Sequence, residues 1–343
     1  MPESEPHILF ETRGALGLVT LNRPKALNAL THGMCMGLHR QLDKWAADPA
    51  IAAVVVRGAG PKAFCAGGDI RALWESATGR TKSAAGFFAD EYRLNAAVAR
   101  FPKPYIALWH GYVMGGGAGV SVHGRYRLAD SSLVFAMPET AIGFIPDIGS
   151  SYFLSRMPDE TGMYLGLTGE RIGLGDALAM GLMTHAVAKI AFDAVIENLA
   201  QGRQVQDAIA PFVTKIAPGP LAAHRRRIAT IFSAASVEAI LERLDRDGSD
   251  FALATAQVIR MRSPTSLKLV FRQLREARSL DLRQCLAMEL RLAVRVLKDH
   301  DFREGVRAAL VDKDRNPKWQ PSSLAGVGNL DPFFASLGAM ELF

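Results

Sequence analysis

Two carboxylates, Glu139 and Asp147, stand eight residues apart in the segment MPETAIGFIPDIG at 137–149. Upstream lie two glycine-rich turns, FCAGGD at 64–69 and MGGG at 114–117. Glycine lets a backbone turn sharply and approach a ligand closely, so the N–H groups of such turns can be aimed at a carbonyl oxygen. A carboxylate can activate water or attack an acyl carbon itself. Together these parts suit hydrolysis of an activated acyl group. Gly68 and Gly116 are the N–H donors the turns offer, and losing one such donor typically costs about 3 kcal/mol in the transition state.

Each feature also has a plainer reading. The run at 115–119 can be a tight helix entry that permits close packing, and it lacks both the lysine of a P-loop and the spacing of a dinucleotide fingerprint. Glu139 can be a solvated loop acid or a charge near a helix start. Asp147 can be an N-cap for the segment that begins at Ile148. Glu91, in the polar stretch DEYRLN at 90–95, can face solvent, pair with a cation, or reach into a pocket. Cys65 reads as a small packed residue, since no histidine is placed to activate it. His110 and His123 read as packing or hydrogen-bonding groups. Arg23, Lys25 and Lys62 flank the motifs as candidate phosphate neighbours, with no catalytic part.

The elements that must position these residues change character near residue 190. Before it, residues 16–21, 51–56, 105–109 and 133–135 read as strands, and 31–47 and 84–99 as helices. This strand, turn and helix rhythm predicts an α/β arrangement. After it, helical patterns cover 191–199, 220–232, 236–245, 247–261, 265–278, 281–299 and 302–311, with Asp247, Ser263 and Asp281 as candidate caps.

Composition narrows the function classes. A chain of 343 residues, 49% of them hydrophobic, can bury a large core. The formal charge of +6 is compatible with a phosphorylated or nucleotide-bearing substrate, but the basic residues are dispersed. The densest run, His224 to Arg227, reads as a solvated helix face. Three separated cysteines support neither a disulfide framework nor a thiolate metal site, and the histidines lack zinc spacing. No stretch is long and apolar enough to predict a membrane span. The amino end, residues 1–7, resembles neither a signal peptide nor an arginine-rich presequence, so a cytoplasmic enzyme is expected.

The chain resembles the enoyl-CoA hydratase/isomerase (crotonase) superfamily. The resemblance is carried by NRPKALNAL at 22–30, KAFCAGGD at 62–69 and GYVMGGG at 111–117. It continues through MPETAIGFIPD at 137–147, SPTSLK at 263–268, FREGVRAALVDKD at 302–314 and PKW at 317–319, which match the superfamily's hydrolase branch. The implied fold is α/β: a crotonase-like β-β-α spiral core over 1–190 holding the thioester site, completed by a helical carboxyl-terminal region over 191–343.

The same resemblance implies a bent coenzyme A thioester whose oxygen sits between the N–H groups of Gly68 and Gly116. It makes Glu139 and Asp147 the acidic pair and Glu91 a further substrate contact. The implied reaction is hydrolysis of 3-hydroxyisobutyryl-CoA and related 3-hydroxyacyl-CoA thioesters, in valine breakdown. No cofactor is implied beyond the coenzyme A of the substrate, and no metal, nucleic acid or membrane partner; a homo-oligomer stays open. A typical hydratase carries a glutamate where this chain has Gly119, and usually glycine where it has Asp147. Hydration or isomerisation of an enoyl-CoA is therefore the second reading. A non-catalytic RNA-binding role is the third, and no recognition motif supports it.

Overall fold

In the computed structural model, residues 6–70 and 84–343 are described; the first five residues of the amino-terminal segment lie outside them. Among the described residues, nine strands form two sheets: β1 (Ile8–Arg13), β2 (Leu16–Leu21), β3 (Ala53–Gly58), β4 (Ala63–Cys65), β5 (Tyr105–Trp109), β6 (Tyr112–Met114), β7 (Tyr126–Ala129), β8 (Val134–Ala136) and β9 (His185–Ala186). The larger sheet runs β1-β2-β3-β5-β7-β9 and the smaller β4-β6-β8. Only β1 and β2 pair antiparallel in the larger sheet; β2 through β9 are parallel.

The order reveals a repeat. The pairs β3–β4, β5–β6 and β7–β8 each place the first strand in the large sheet and the second in the small one, and helical structure follows each pair. This is the expected β-β-α spiral. The alternating placement explains why sequence periodicity found β5 from Tyr105 to Trp109 but missed β4 and β6. Strands of three residues are too short to show a period, and β8, equally short, was placed at 133–135 only as an apolar run.

Contacts divide the chain into two compact units. The first comprises Met1–Gly68, Arg93–Phe135 and Ile172–Pro220; the second comprises Asp69–Tyr92, Ala136–Arg171 and Leu221–Phe343. Residue 190 marks where strands end, just after β9, rather than a passage between units. In the first unit, Leu18, Val55, Ile106 and Leu128 from successive parallel strands meet Phe192, Val195 and Ile196 in one buried cluster. Such strands are apolar on both faces because both are covered.

Helix starts follow their side chains. Thr31 accepts from Met34 N and opens the helix His32–Ala47, which buries Met34, Leu38, Leu42 and Trp45 at helical spacing. Ser263 caps Pro264–Glu276, and Asp281 forms a capping box with Gln284 on Leu282–Val296. One expected cap is wrong: Ser249, not Asp247, caps Asp250–Arg260. Asp247 instead accepts hydrogen bonds from Ser249 and Arg227. The basic run is also paired, Arg225 with Asp159 and Arg227 with Asp247. Among the described residues, no helix is long and apolar enough to cross a membrane.

Candidate active site

The two glycine turns belong to the first unit and meet there. An added Cβ at Gly117 would collide with the Cys65 carbonyl, and one at Gly67 would sit 3.9 Å from Gly116 N. Gly67 has φ +116°, a conformation side chains disfavour. The first turn is anchored by Leu30 N donating to Gly67 O at 2.8 Å and Ala66 N donating to Leu27 O at 3.0 Å. Among the described residues, the N–H groups of Gly68 and Gly116 have no hydrogen-bond acceptor. Cys65 is fully buried, its Sγ 3.6 Å from Gly67 O, as packing requires. His110 is buried with Nε2 2.9 Å from Gly60 O, and Arg23 donates to Ala29 O at 2.6 Å. Both therefore support the loops around the turns.

The second unit gathers the acids. Glu139 opens a short 3-10 turn, Glu139–Ile142, that Gly143 ends in the left-handed region. A Cβ on Gly143 would strike Asp301 O, so only glycine fits. Thr140 secures the turn through Leu167 O and through Ser263 N, which donates to Thr140 O. Phe144 packs between Phe88 and Phe302, each 5.5 Å away between ring centres. Ser263 Oγ also donates to Asp301 Oδ2 at 2.6 Å. The carboxyl-terminal motifs at 263–268 and 302–314 thus build the support behind the acidic loop.

Glu91, Glu139 and Asp147 are all buried, 2%, 8% and 5% exposed. That excludes the solvated readings of Glu91 and Glu139. Asp147 is no N-cap either: Gly149 occupies that position before Ser150–Leu154, without a side-chain cap. Instead Tyr92 Oη donates to Asp147 Oδ2 at 2.6 Å. One oxygen each of Glu91 and Glu139 is buried without a partner among the described residues.

Burial, and then the charge of Asp147, push the Glu91 and Glu139 carboxyls well above the usual carboxylate range. Burial raises Asp147 to about 7, against the opposing hydrogen bonds from Tyr92 and its own N–H. Burial and the Asp147 charge also keep Tyr92 protonated, and so a donor. In water-poor surroundings these acids repel one another, so burial and mutual charge set their proton affinities.

Two partners of this site escaped the sequence reading. Tyr92 follows Glu91 directly, but nothing local ties it to Asp147, 55 residues away. Glu289 accepts from Gly149 N at 2.6 Å, and from Ser151 N and Oγ at 2.8 and 2.6 Å. Its signal was present: a charge on the buried stripe of Cys285, Leu292 and Val296 in Leu282–Val296.

The Asp147 proton has a consequence for stability. The group binds its proton more tightly folded than unfolded, so folding takes up a proton between pH 3.8 and about 7. Stability contributed by this group falls as pH rises through that window and is level above it. Asp147→Asn should therefore gain on the parent by on the order of 4 kcal/mol across the window. Melting curves at several pH values test this; parallel curves for the two proteins would show that Asp147 is not desolvated.

Residues 16–331 match the family model described as enoyl-CoA hydratase/isomerase. The chain is 45% identical to the 3-hydroxyisobutyryl-CoA hydrolase, mitochondrial, of Xenopus tropicalis, over 97% of this chain and 90% of that one. It is 44% identical to the protein of the same name from Homo sapiens, over 99% and 91%. Among solved structures it is similar to a carnitinyl-CoA dehydratase from Mycobacterium thermoresistibile, with TM-score 0.94, 38% identity and 99% of both chains covered. It is also similar to an enoyl-CoA hydratase from Rhodobacter sphaeroides 2.4.1, with TM-score 0.92, 34% identity, and 98% and 100% covered. The mitochondrial names of these relatives overturn the cytoplasmic expectation.

Proposed function

The chain belongs to the enoyl-CoA hydratase/isomerase family, and on that premise we propose that Glu139, Asp147, Gly68 and Gly116 carry its hydrolysis of a 3-hydroxyacyl-CoA thioester. The chain hydrolyses 3-hydroxyisobutyryl-CoA-like substrates, as its relatives of that name do. The reaction releases the hydroxy acid and coenzyme A, a step of valine breakdown.

In this reading the Glu139 carboxylate is the central group. It takes a proton from water as water attacks the thioester carbon, or it attacks that carbon itself to give an anhydride that water opens. Both routes need Glu139 ionised. The oxygen that becomes negative accepts from Gly68 N and Gly116 N. When the carbon–sulfur bond breaks, the thiolate leaves and is protonated as coenzyme A. Asp147 uses Oδ2 for Tyr92, which leaves Oδ1 to accept from the substrate 3-hydroxyl. Glu91 contributes a second polar contact to the hydroxyacyl group.

The observation that carries the reading is the buried acidic pair Glu139 and Asp147 in a chain that has Gly119 where a hydratase keeps its other glutamate. Two glutamates are the hydratase arrangement for adding water to a double bond, and this chain has one of them. The hydratase and dehydratase names of the structural neighbours describe those proteins. The test is a thiol-release assay with mass analysis of the products from matched acyl-CoAs. We expect free coenzyme A with 3-hydroxyisobutyrate from 3-hydroxyisobutyryl-CoA. Water addition to crotonyl-CoA without thiol release, as the dominant reaction, would overturn the assignment.

A further inference from the structure

We propose that Glu289 and Gln273 are positioning residues for the hydrolysis, acting through Asp147 by clamping the backbone on both sides of it. The inference rests on the reading of Asp147 as the group that meets the substrate hydroxyl.

The backbone after Asp147 takes an unfavourable path. Ile148, fully buried and β-branched, has φ +61°, and Gly149 follows at φ +81°. A β-branched residue is strained there and persists only where its surroundings over-determine it. Those surroundings are two side chains from the carboxyl-terminal helices. Gln273, on Pro264–Glu276, donates from Nε2 to Pro146 O at 2.8 Å. Glu289, on Leu282–Val296, takes Gly149 N on Oε2, and Ser151 N and Oγ on Oε1. The residue before Asp147 is thus held by one helix, and the second and fourth residues after it by the next. Both side chains are completely buried.

The chemistry of Glu289 is specific. Both its oxygens accept, from three donors, an arrangement that favours the carboxylate and opposes the burial that raises this group to about 8. An amide would direct N–H at an N–H or lose a partner. Either way the reversal at Ile148 loses its restraint, and Asp147 moves relative to the hydroxyl it must meet. Displacement of about 1 Å costs on the order of 10²-fold in rate.

The test compares Glu289→Gln, Gln273→Met, Asp147→Asn and the two doubles with Asp147→Asn, in the full chain after thermal melts confirm folding. Each is assayed on 3-hydroxyisobutyryl-CoA and on isobutyryl-CoA. We expect Glu289→Gln to lower kcat/KM on the hydroxylated substrate about 10²-fold and on isobutyryl-CoA far less. Gln273→Met, which conserves volume, should act in the same direction by about 10-fold. Neither should add to Asp147→Asn, because residues acting as one unit are not additive. Equal losses on both substrates, or full additivity with Asp147→Asn, would overturn the inference while the Asp147 reading stands. A near-normal Asp147→Asn single variant would instead overturn that reading. If Glu289→Gln does not fold, the same comparisons on Gln273→Met decide.

Discussion

Glu139→Gln should turn over 3-hydroxyisobutyryl-CoA about 10³-fold more slowly than the parent, with coenzyme A binding retained. The amide has the size of the acid but cannot accept a proton from water or form an anhydride. One Glu139 oxygen is buried without a partner among the described residues, so the substitution removes no hydrogen bond there. It also removes an ionisable group that burial and Asp147 already disfavour in its charged form. The loss should therefore be one of chemistry and not of folding. Steady-state kinetics beside direct coenzyme A titration separate the two. Near-normal turnover in the folded variant would remove Glu139 from the mechanism.

The second large effect is one of discrimination. Asp147→Asn should lower kcat/KM on 3-hydroxyisobutyryl-CoA about 10²-fold more than on isobutyryl-CoA. A site that hydrogen-bonds a substrate hydroxyl loses its preference for that hydroxyl when the buried partner changes. Asparagine can still accept from Tyr92, so the local scaffold keeps its 2.6 Å contact partner while the charge is lost. Kinetics on the two substrates read the effect directly. Equal losses would end the hydroxyl-recognition role and leave Asp147 a general electrostatic one.

The same residue shows how far local reasoning reached. An acid before Ile148 and glycine is a reasonable cap on local grounds, yet the chain turns so that Gly149 occupies the cap. The deciding contacts come from Tyr92, 55 residues earlier, and from Glu289, which holds Gly149 from 140 residues later. Caps whose capping bond is local were legible: Ser263 and Asp281 each accept from the third residue of their own helix. Asp247 failed because Ser249, two residues on, competes for the same task and captures its carboxylate. The short strands β4 and β6 were invisible, although the glycine turns they lead into were not.

By itself, the sequence pointed to the residue types proposed to carry the chemistry, and it determined where strands give way to helices. Those properties depend on side-chain identity and on neighbours a turn or two away. It also carried the family resemblance from residue 22 to 319, since short motifs need no coordinates to be read. Tertiary structure alone decided the state of the acids. A carboxyl keeps its ordinary pKa in water. Burial and the like charge of Asp147 raise Glu139, and burial outweighs the Tyr92 hydrogen bond at Asp147. Solvation and Coulomb energy depend on distance through space. The side chains that set those distances are far apart in the chain.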